Sequence, residues 1–398
     1  MAAGLSLRAA AAAAGALVLL VACGNAPDSR NLADAPTPTA SATKSPVVVP
    51  ADPVAAVKPK PLRAGERRMA LEIPKSYTPS APNGVGNDDY RCFLLDPHLT
   101  SDQYLTGTFV KPDNRNVVHH VILYRVDPDQ VAAARRLDAR APGEGWTCFG
   151  DSGLPNSSDL QDAPWLGAWA PGATESVAPP GFGTPLAAGS QIVMQVHYNL
   201  LGGPGPDRSA TLLRLAPGTE HLTPLSTMLL PAPVELPCRP GHTDSPLCDR
   251  TTAIADVVQR FGPVGQTNNW LDVLCQEKPR ASEVTSCSRT VTEPTTIRSV
   301  AGHMHLLGRS IKIEVNPGTP QARTVLDIPV WNFDDQASRQ ITPYHLKPSD
   351  TVRVTCRHDQ SLRDQQPSFE KQRKDRYVVW GDGSTDEMCL GILLTTDG

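Results

Sequence analysis

Apolar and polar positions along this chain alternate in short runs and rarely recur every three or four residues. From Met69 onward, the runs at 104–110, 117–126, 191–200, 210–215, 311–315, 351–356 and 389–394 are β-branched or alternating, with Gly, Pro and Asp between them. That is the signature of strands bounded by turns. In the stretch from Ile192 to Tyr198, Ile192, Met194, Val196 and Tyr198 share one face and predict core, while Gln195 and His197 share the other. Helical period is confined to 252–261 and, more weakly, 130–138. The expected fold is all-β: two antiparallel β-sandwich, jelly-roll-like domains meeting near Ala216-Pro217-Gly218. They span 66–216 and 217–398, and a short helical, cysteine-bearing insertion occupies about 234–293 of the second.

The N-terminus follows a different pattern. After Arg8, an apolar stretch from Ala9 to Val21 is too short for a membrane span and ends in Leu20-Val21-Ala22-Cys23-Gly24, which resembles a bacterial lipobox. It predicts a signal peptide over 1–22, cleavage before Cys23 and a lipid on that thiol. The mature protein would then be tethered to the bacterial membrane on its extracytoplasmic side. Residues 23–65 are rich in Pro, Ala and Thr and show no sustained apolar period, so they read as a disordered tether.

Charge and cysteine usage narrow the classes further. The 398 residues include 37 basic and 41 acidic side chains, a formal net charge of -4, which argues against a nucleic-acid partner. Nine cysteines less Cys23 leave an even set, Cys92, Cys148, Cys238, Cys248, Cys275, Cys287, Cys356 and Cys389, as expected of disulfides in an exported protein. No pair has CxxC spacing, which argues against structural zinc. Cys238, Cys248, Cys275 and Cys287 allow three connectivities. Sequence proximity favours Cys238 with Cys248 and Cys275 with Cys287, without deciding the matter.

Five histidines and one methionine carry the candidate chemistry: His119 and His120 in VVHHVILY, His197 in QVHYNL, His303 and His305 in AGHMHLLGR, and Met388 in DEMCLG. On a strand, His303 and His305 share a face and can meet one ion, while Met304 between them points into core. His119 and His120 would point to opposite faces of an ideal strand. They can share an ion only if the backbone twists or the two rings use different nitrogens; otherwise one is buried and one exposed. A single histidine on a strand, such as His197, is usually structural, and Met388 beside Cys389 reads by itself as core. Glu387 reads as part of a solvated turn, and Asp386 as either turn or support for a ligand. A thioether combined with two imidazoles points to copper that cycles through Cu(I).

Taken in order, these motifs resemble the copper type II, ascorbate-dependent monooxygenases, the family that includes peptidylglycine α-hydroxylating monooxygenase and dopamine β-monooxygenase. The likeness covers about 69–394 apart from the insertion. It includes Trp169-Ala170-Pro171-Gly172 and Pro179-Pro180-Gly181 ahead of the His197 motif, and Thr385 to Cys389. It implies two copper ions per chain, facing each other across an open, water-filled cleft. One would be held by His119, His120 and His197 and relay electrons. The other would be held by His303, His305 and Met388, the catalytic set, which binds O2 and attacks a substrate C–H bond. The resemblance further implies ascorbate or another one-electron reductant, and disulfides pairing Cys92 with Cys148 and Cys356 with Cys389.

The departures bear on the substrate. Where the peptide hydroxylases carry an arginine that grips a carboxylate, two residues before His303, Ala301 stands here, and Leu390 and Ile392 replace an asparagine and a tyrosine. A site without that charged clamp should bind carboxylates poorly. The expected activity is hydroxylation of a small, uncharged, hydrophobic organic substrate. The alternative is a non-catalytic extracytoplasmic copper-binding lipoprotein, a buffer or sensor, on the same scaffold.

Overall fold

The computed structural model describes residues 58–82, 86–155, 159–370 and 372–398. Cys23, the signal segment and most of the tether lie outside them. The chain is mostly β, in four sheets that are antiparallel except where Thr223–Pro224 runs parallel to Phe182–Leu186.

The first sheet has the order Arg67–Glu72, Ala210–Pro217, Gln103–Lys111, Phe182–Leu186 and Thr223–Pro224, with Ser176–Val177 also paired to Gln103–Lys111. The second runs Trp146–Thr147, Asp88–Leu95, Gln191–Asn199, Val118–Val126 and Trp165–Trp169. One apolar core is filled from both, with Leu105, Leu213 and Leu215 from the first and Phe93, Val121, Ile192, Met194 and Tyr198 from the second. The third sheet runs Ser226–Pro231, Leu390–Asp397, Thr295–His303 and Arg339–Leu346. The fourth runs Val284–Thr290, Thr351–His358, Gly308–Val315 and Arg323–Ile328. A second core joins these two through Leu230, Ile297, Val300 and Leu393 on one side and Ile311, Ile313, Val352 and Val354 on the other.

Two strand features position the site. Gln191–Asn199 is buried on both faces except at its last residue. Its alternate face lies under a small cluster that includes Cys92, Tyr124, Ala134, Cys148 and Val193. Gln195 and His197 are therefore polar residues inside the protein, and each must be hydrogen-bonded there. In the third sheet, Gly302 and Gly391 are register partners. A Cβ on either would meet the Ile311 or Ile313 side chain of the fourth sheet at 2.9 Å, so glycine lets the sheets approach this closely without displacing those side chains.

The helices lie at 131–138, 250–261 and 267–274. Arg250–Phe261 starts two residues earlier than the apolar period predicts because Asp249 caps it, its carboxylate accepting from Thr252 N at 2.8 Å. Thr267–Leu274 was not legible from sequence period. The segment expected as an insertion includes Val284–Thr290, an edge strand of the fourth sheet.

Four disulfides join Cys92 to Cys148, Cys238 to Cys248, Cys275 to Cys287 and Cys356 to Cys389, as anticipated from the resemblance and from locality. They fit an oxidising, extracytoplasmic compartment. Among the described residues no helix is long and apolar enough to cross a membrane.

Candidate metal centre

His119, His120 and His197 converge. His120 is the register partner of His197 on the neighbouring strand, and the pairing shifts between Val118 and His120. That irregularity, a bulge at His119, resolves the opposite-face problem: it re-aims one ring so that both adjacent histidines face His197. All three use the same nitrogen. The Nδ1 atoms of His119 and His120, His119 and His197, and His120 and His197 are each 3.2 Å apart.

An equilateral triangle of ring nitrogens is a poor hydrogen-bond arrangement. Each nitrogen has one in-plane proton or lone pair, so the three contacts cannot all be satisfied at once. The triangle does suit a cation. Three tetrahedral ligands about 2.0 Å from an ion stand roughly 3.3 Å from one another.

The surroundings fix the rings. His197 is buried, and its Nε2 lies 2.9 Å from Asp88 Oδ1. Asp88 Oδ1 also accepts from Ser384 Oγ at 3.0 Å. A proton held between Nε2 and Asp88 leaves the His197 Nδ1 lone pair free to ligate. Tyr90 stacks on His197 at 4.1 Å between ring centroids, anchored by a 2.7 Å bond from its hydroxyl to the Asp382 carbonyl. Removal from bulk water, then the neighbouring histidines, lowers the His119 and His120 pKa values well below the usual range. Both imidazoles are therefore neutral at physiological pH, as ligands must be.

His303 and His305 also come together, their ring centroids 5.1 Å apart. His303 ends its strand, and its Nδ1 lies 2.6 Å from Gln336 Oε1. His305 is in the following turn, with Nδ1 3.3 Å from the Asp386 carbonyl and Nε2 buried without a hydrogen-bond partner among the described residues. That buried nitrogen is available as a ligand. Burial lowers both pKa values, with the Gln336 bond opposing the shift at His303. Met304 is fully buried in the core, as its alternation predicts. Met388 is half-buried, lines the same cavity as His303, and sits in an apolar cluster with Trp380, Leu390 and Ile392.

The reading of Glu387 as a solvated turn is overturned. Glu387 is fully buried, and its carboxylate accepts from the backbone N–H groups of His305 (2.9 Å), Leu307 (2.5 Å) and Met388 (3.2 Å). It therefore ties the turn bearing His305 to the segment bearing Met388. His358 adds a second tie, its Nε2 3.2 Å from the Met388 carbonyl. Asp386, left open from sequence, is also buried, in a two-point ion pair with Arg260 (both 2.7 Å). Arg260 comes from the helical insertion, so that segment supports the site.

The two histidine sets meet. His120 and His303 have ring centroids 5.9 Å apart, and Phe333 stacks on His119 at 4.6 Å while standing edge-on to His305 at 6.3 Å. Phe333, on the segment that also supplies Gln336, thus packs against a histidine of each set. The space lies to one side, as a cavity of about 760 Å³ reached by His120, His303 and Met388.

Asp88, Tyr90, Phe333, Gln336 and Arg260 escaped the sequence reading. None lies within ten residues of a proposed histidine ligand, and none falls in a motif that singles it out.

No protein-family model matches the chain, and no curated protein matches it. Solved structures match only distantly. The major capsid protein P2 from bacteriophage PM2 has 9% identity and a TM-score of 0.28, over 83% of this chain and 97% of that one. A fucolectin from striped bass (Morone saxatilis) serum has 8% identity and a TM-score of 0.19, over 79% and 84%. An allantoicase has 11% identity and a TM-score of 0.17, over 67% and 73%. Likenesses this remote carry no argument.

Proposed function

We propose that this chain is a copper-dependent monooxygenase, tethered outside the cytoplasm by a lipid on Cys23, that hydroxylates a C–H bond of a small organic molecule. The observation that carries the proposal is the closeness of the two histidine sets: a triangle of three Nδ1 atoms, and beside it His303 with His305 next to it, His303 sharing a cavity with the Met388 thioether. In this reading the four sheets form two antiparallel β-sandwich domains, each with its own core, and each domain supplies one set.

His119, His120 and His197 hold one copper, and His303, His305 and Met388 hold the other. Copper supplies one-electron chemistry and dioxygen activation, with electrons drawn from ascorbate or another one-electron reductant. The protein's part is orientation and exclusion. Asp88 holds the Nε2 proton of His197. Gln336 holds His303 in the tautomer that frees Nε2. The Glu387 carboxylate fixes the distance between the His305 turn and Met388. The soft, weakly donating Met388 sulfur favours the reduced ion and leaves room at the metal. Phe333 keeps bulk water from between the rings.

The test is oxygen uptake by the copper-loaded full chain with ascorbate and a panel of apolar alcohols, read with ¹⁸O incorporation into product. The reading predicts label in product, lost in Met388→Ala. Copper binding with no coupled uptake would instead favour the buffer or sensor.

A further inference from the structure

The cavity beside the two sets has a wall and a head of different chemistry. Its wall is apolar: Trp165, Trp380, Leu390 and Ile392 line it and belong to one apolar cluster with Met388. Leu390 is the register partner of His303 and Ile392 of Ala301, so the cluster abuts the histidine set directly. Two residues beyond Trp380, Asp382 also lines the cavity, and its Oδ2 is buried without a hydrogen-bond partner among the described residues. Only 3% of Asp382 is exposed. A buried carboxyl oxygen with no partner is costly unless something completes it. Asp151, Glu175 and Asp335 line the same space, and among its lining residues Lys60, exposed to solvent, is the one lysine or arginine.

From this we infer that the cavity binds a bulky apolar molecule bearing a hydroxyl, its skeleton against the Trp165–Trp380–Ile392 wall and its hydroxyl on Asp382, and that it rejects carboxylates. A volume of about 760 Å³ falls in the range of small-molecule sites. A hydroxyl can both donate and accept, so it completes Asp382 in either protonation state. An anion would lose its hydration and face four carboxyl groups, with only the exposed Lys60 as a lysine or arginine partner. The inference specifies the substrate class of the site proposed above, but binding does not need the metal.

The experiment is calorimetry on the full chain, metal-free, with three probes of one skeleton: 2-naphthol, naphthalene and 2-naphthoate. Expected is 2-naphthol binding about tenfold tighter than naphthalene, the effect of one added hydrogen bond, with 2-naphthoate weakest. Asp382→Leu should bring 2-naphthol down to the naphthalene value, and Asp382→Asn, which keeps hydrogen-bonding capacity and shape, should retain most of the preference. Ile392→Arg should abolish binding of naphthalene and 2-naphthol. Binding of 2-naphthoate as tight as 2-naphthol, or an unchanged 2-naphthol preference in Asp382→Leu, would overturn the inference. Because copper is absent, either result leaves the monooxygenase reading to its own test.

Discussion

The two ligand sets are built in opposite ways. His119, His120 and His197 stand on two hydrogen-bonded neighbouring strands, and one bulge turns all three Nδ1 atoms inward. His303, His305 and Met388 come from a strand end, a turn and a distant segment. Their relation depends on groups far away in sequence: Glu387 on the backbone of His305 and Leu307, Gln336 on His303, and Arg260 on Asp386. The first set is fixed by sheet geometry. The second is assembled by buried polar ties, and such ties specify a site only while every member is satisfied. Under the proposed function the second set is the one that accepts dioxygen and substrate, and a site assembled in this way is the more easily adjusted.

This contrast can be broken by single changes, the largest at the ligands themselves. Met388→Ala is expected to lower turnover by about a hundredfold or more, on the scale of lost metal support, while copper remains bound at the three-histidine set. Electron paramagnetic resonance of the oxidised protein checks this as persistence of a single histidine-ligated signal.

Next comes the support of the second set. Arg260→Met leaves the Asp386 carboxylate buried without its bidentate partner, a change worth about 3–5 kcal/mol of stability. Chemical denaturation should show that loss, and copper affinity should fall at the second set. An equal loss at both sets would erase the distinction between them.

A smaller effect is expected where the first set is tuned. Asp88→Asn should weaken copper at the three histidines by about tenfold, as removal of an outer hydrogen bond to a ligating histidine does. It should leave the second set unchanged. Competition with a chelator of known affinity measures both.

The smallest effect is the pH dependence of the metal-free protein. His119, His120 and His305 have pKa values lowered by burial, so the unfolded chain binds more protons than the folded one below about pH 6.5. Stability should therefore fall as pH drops from about 7 to about 5. Asp382 works against this slope, because burial and the nearby Asp386 and Asp151 push its carboxyl up to about 7 and favour its protonated folded form. Asp382→Asn should steepen the loss, as thermal melts across that interval would record.

The sequence exposed the two sets unequally. The strands were legible because alternation is local: runs at 104–110 and 191–200 appear as Gln103–Lys111 and Gln191–Asn199. Met304 as core followed from the same rule. The bulge at His119 has no local signal, so adjacency of the two histidines left their cooperation open. Glu387 was misread because an acidic pair after Ser384-Thr385 looks like a solvated turn. Its burial depends on backbone N–H groups eighty residues earlier. Phe333 and Gln336 sit in an irregular segment between Arg323–Ile328 and Arg339–Leu346, where no periodicity marks a contact. Their role exists only once the sheets are assembled.

The central claim is two copper sites in one chain, and copper stoichiometry tests it most directly. The full chain, loaded with copper and desalted, should retain two ions, with one remaining in His303→Ala and one in His197→Ala. A wild-type chain that retains one ion or none, or a His303→Ala chain that still holds two, would contradict the account.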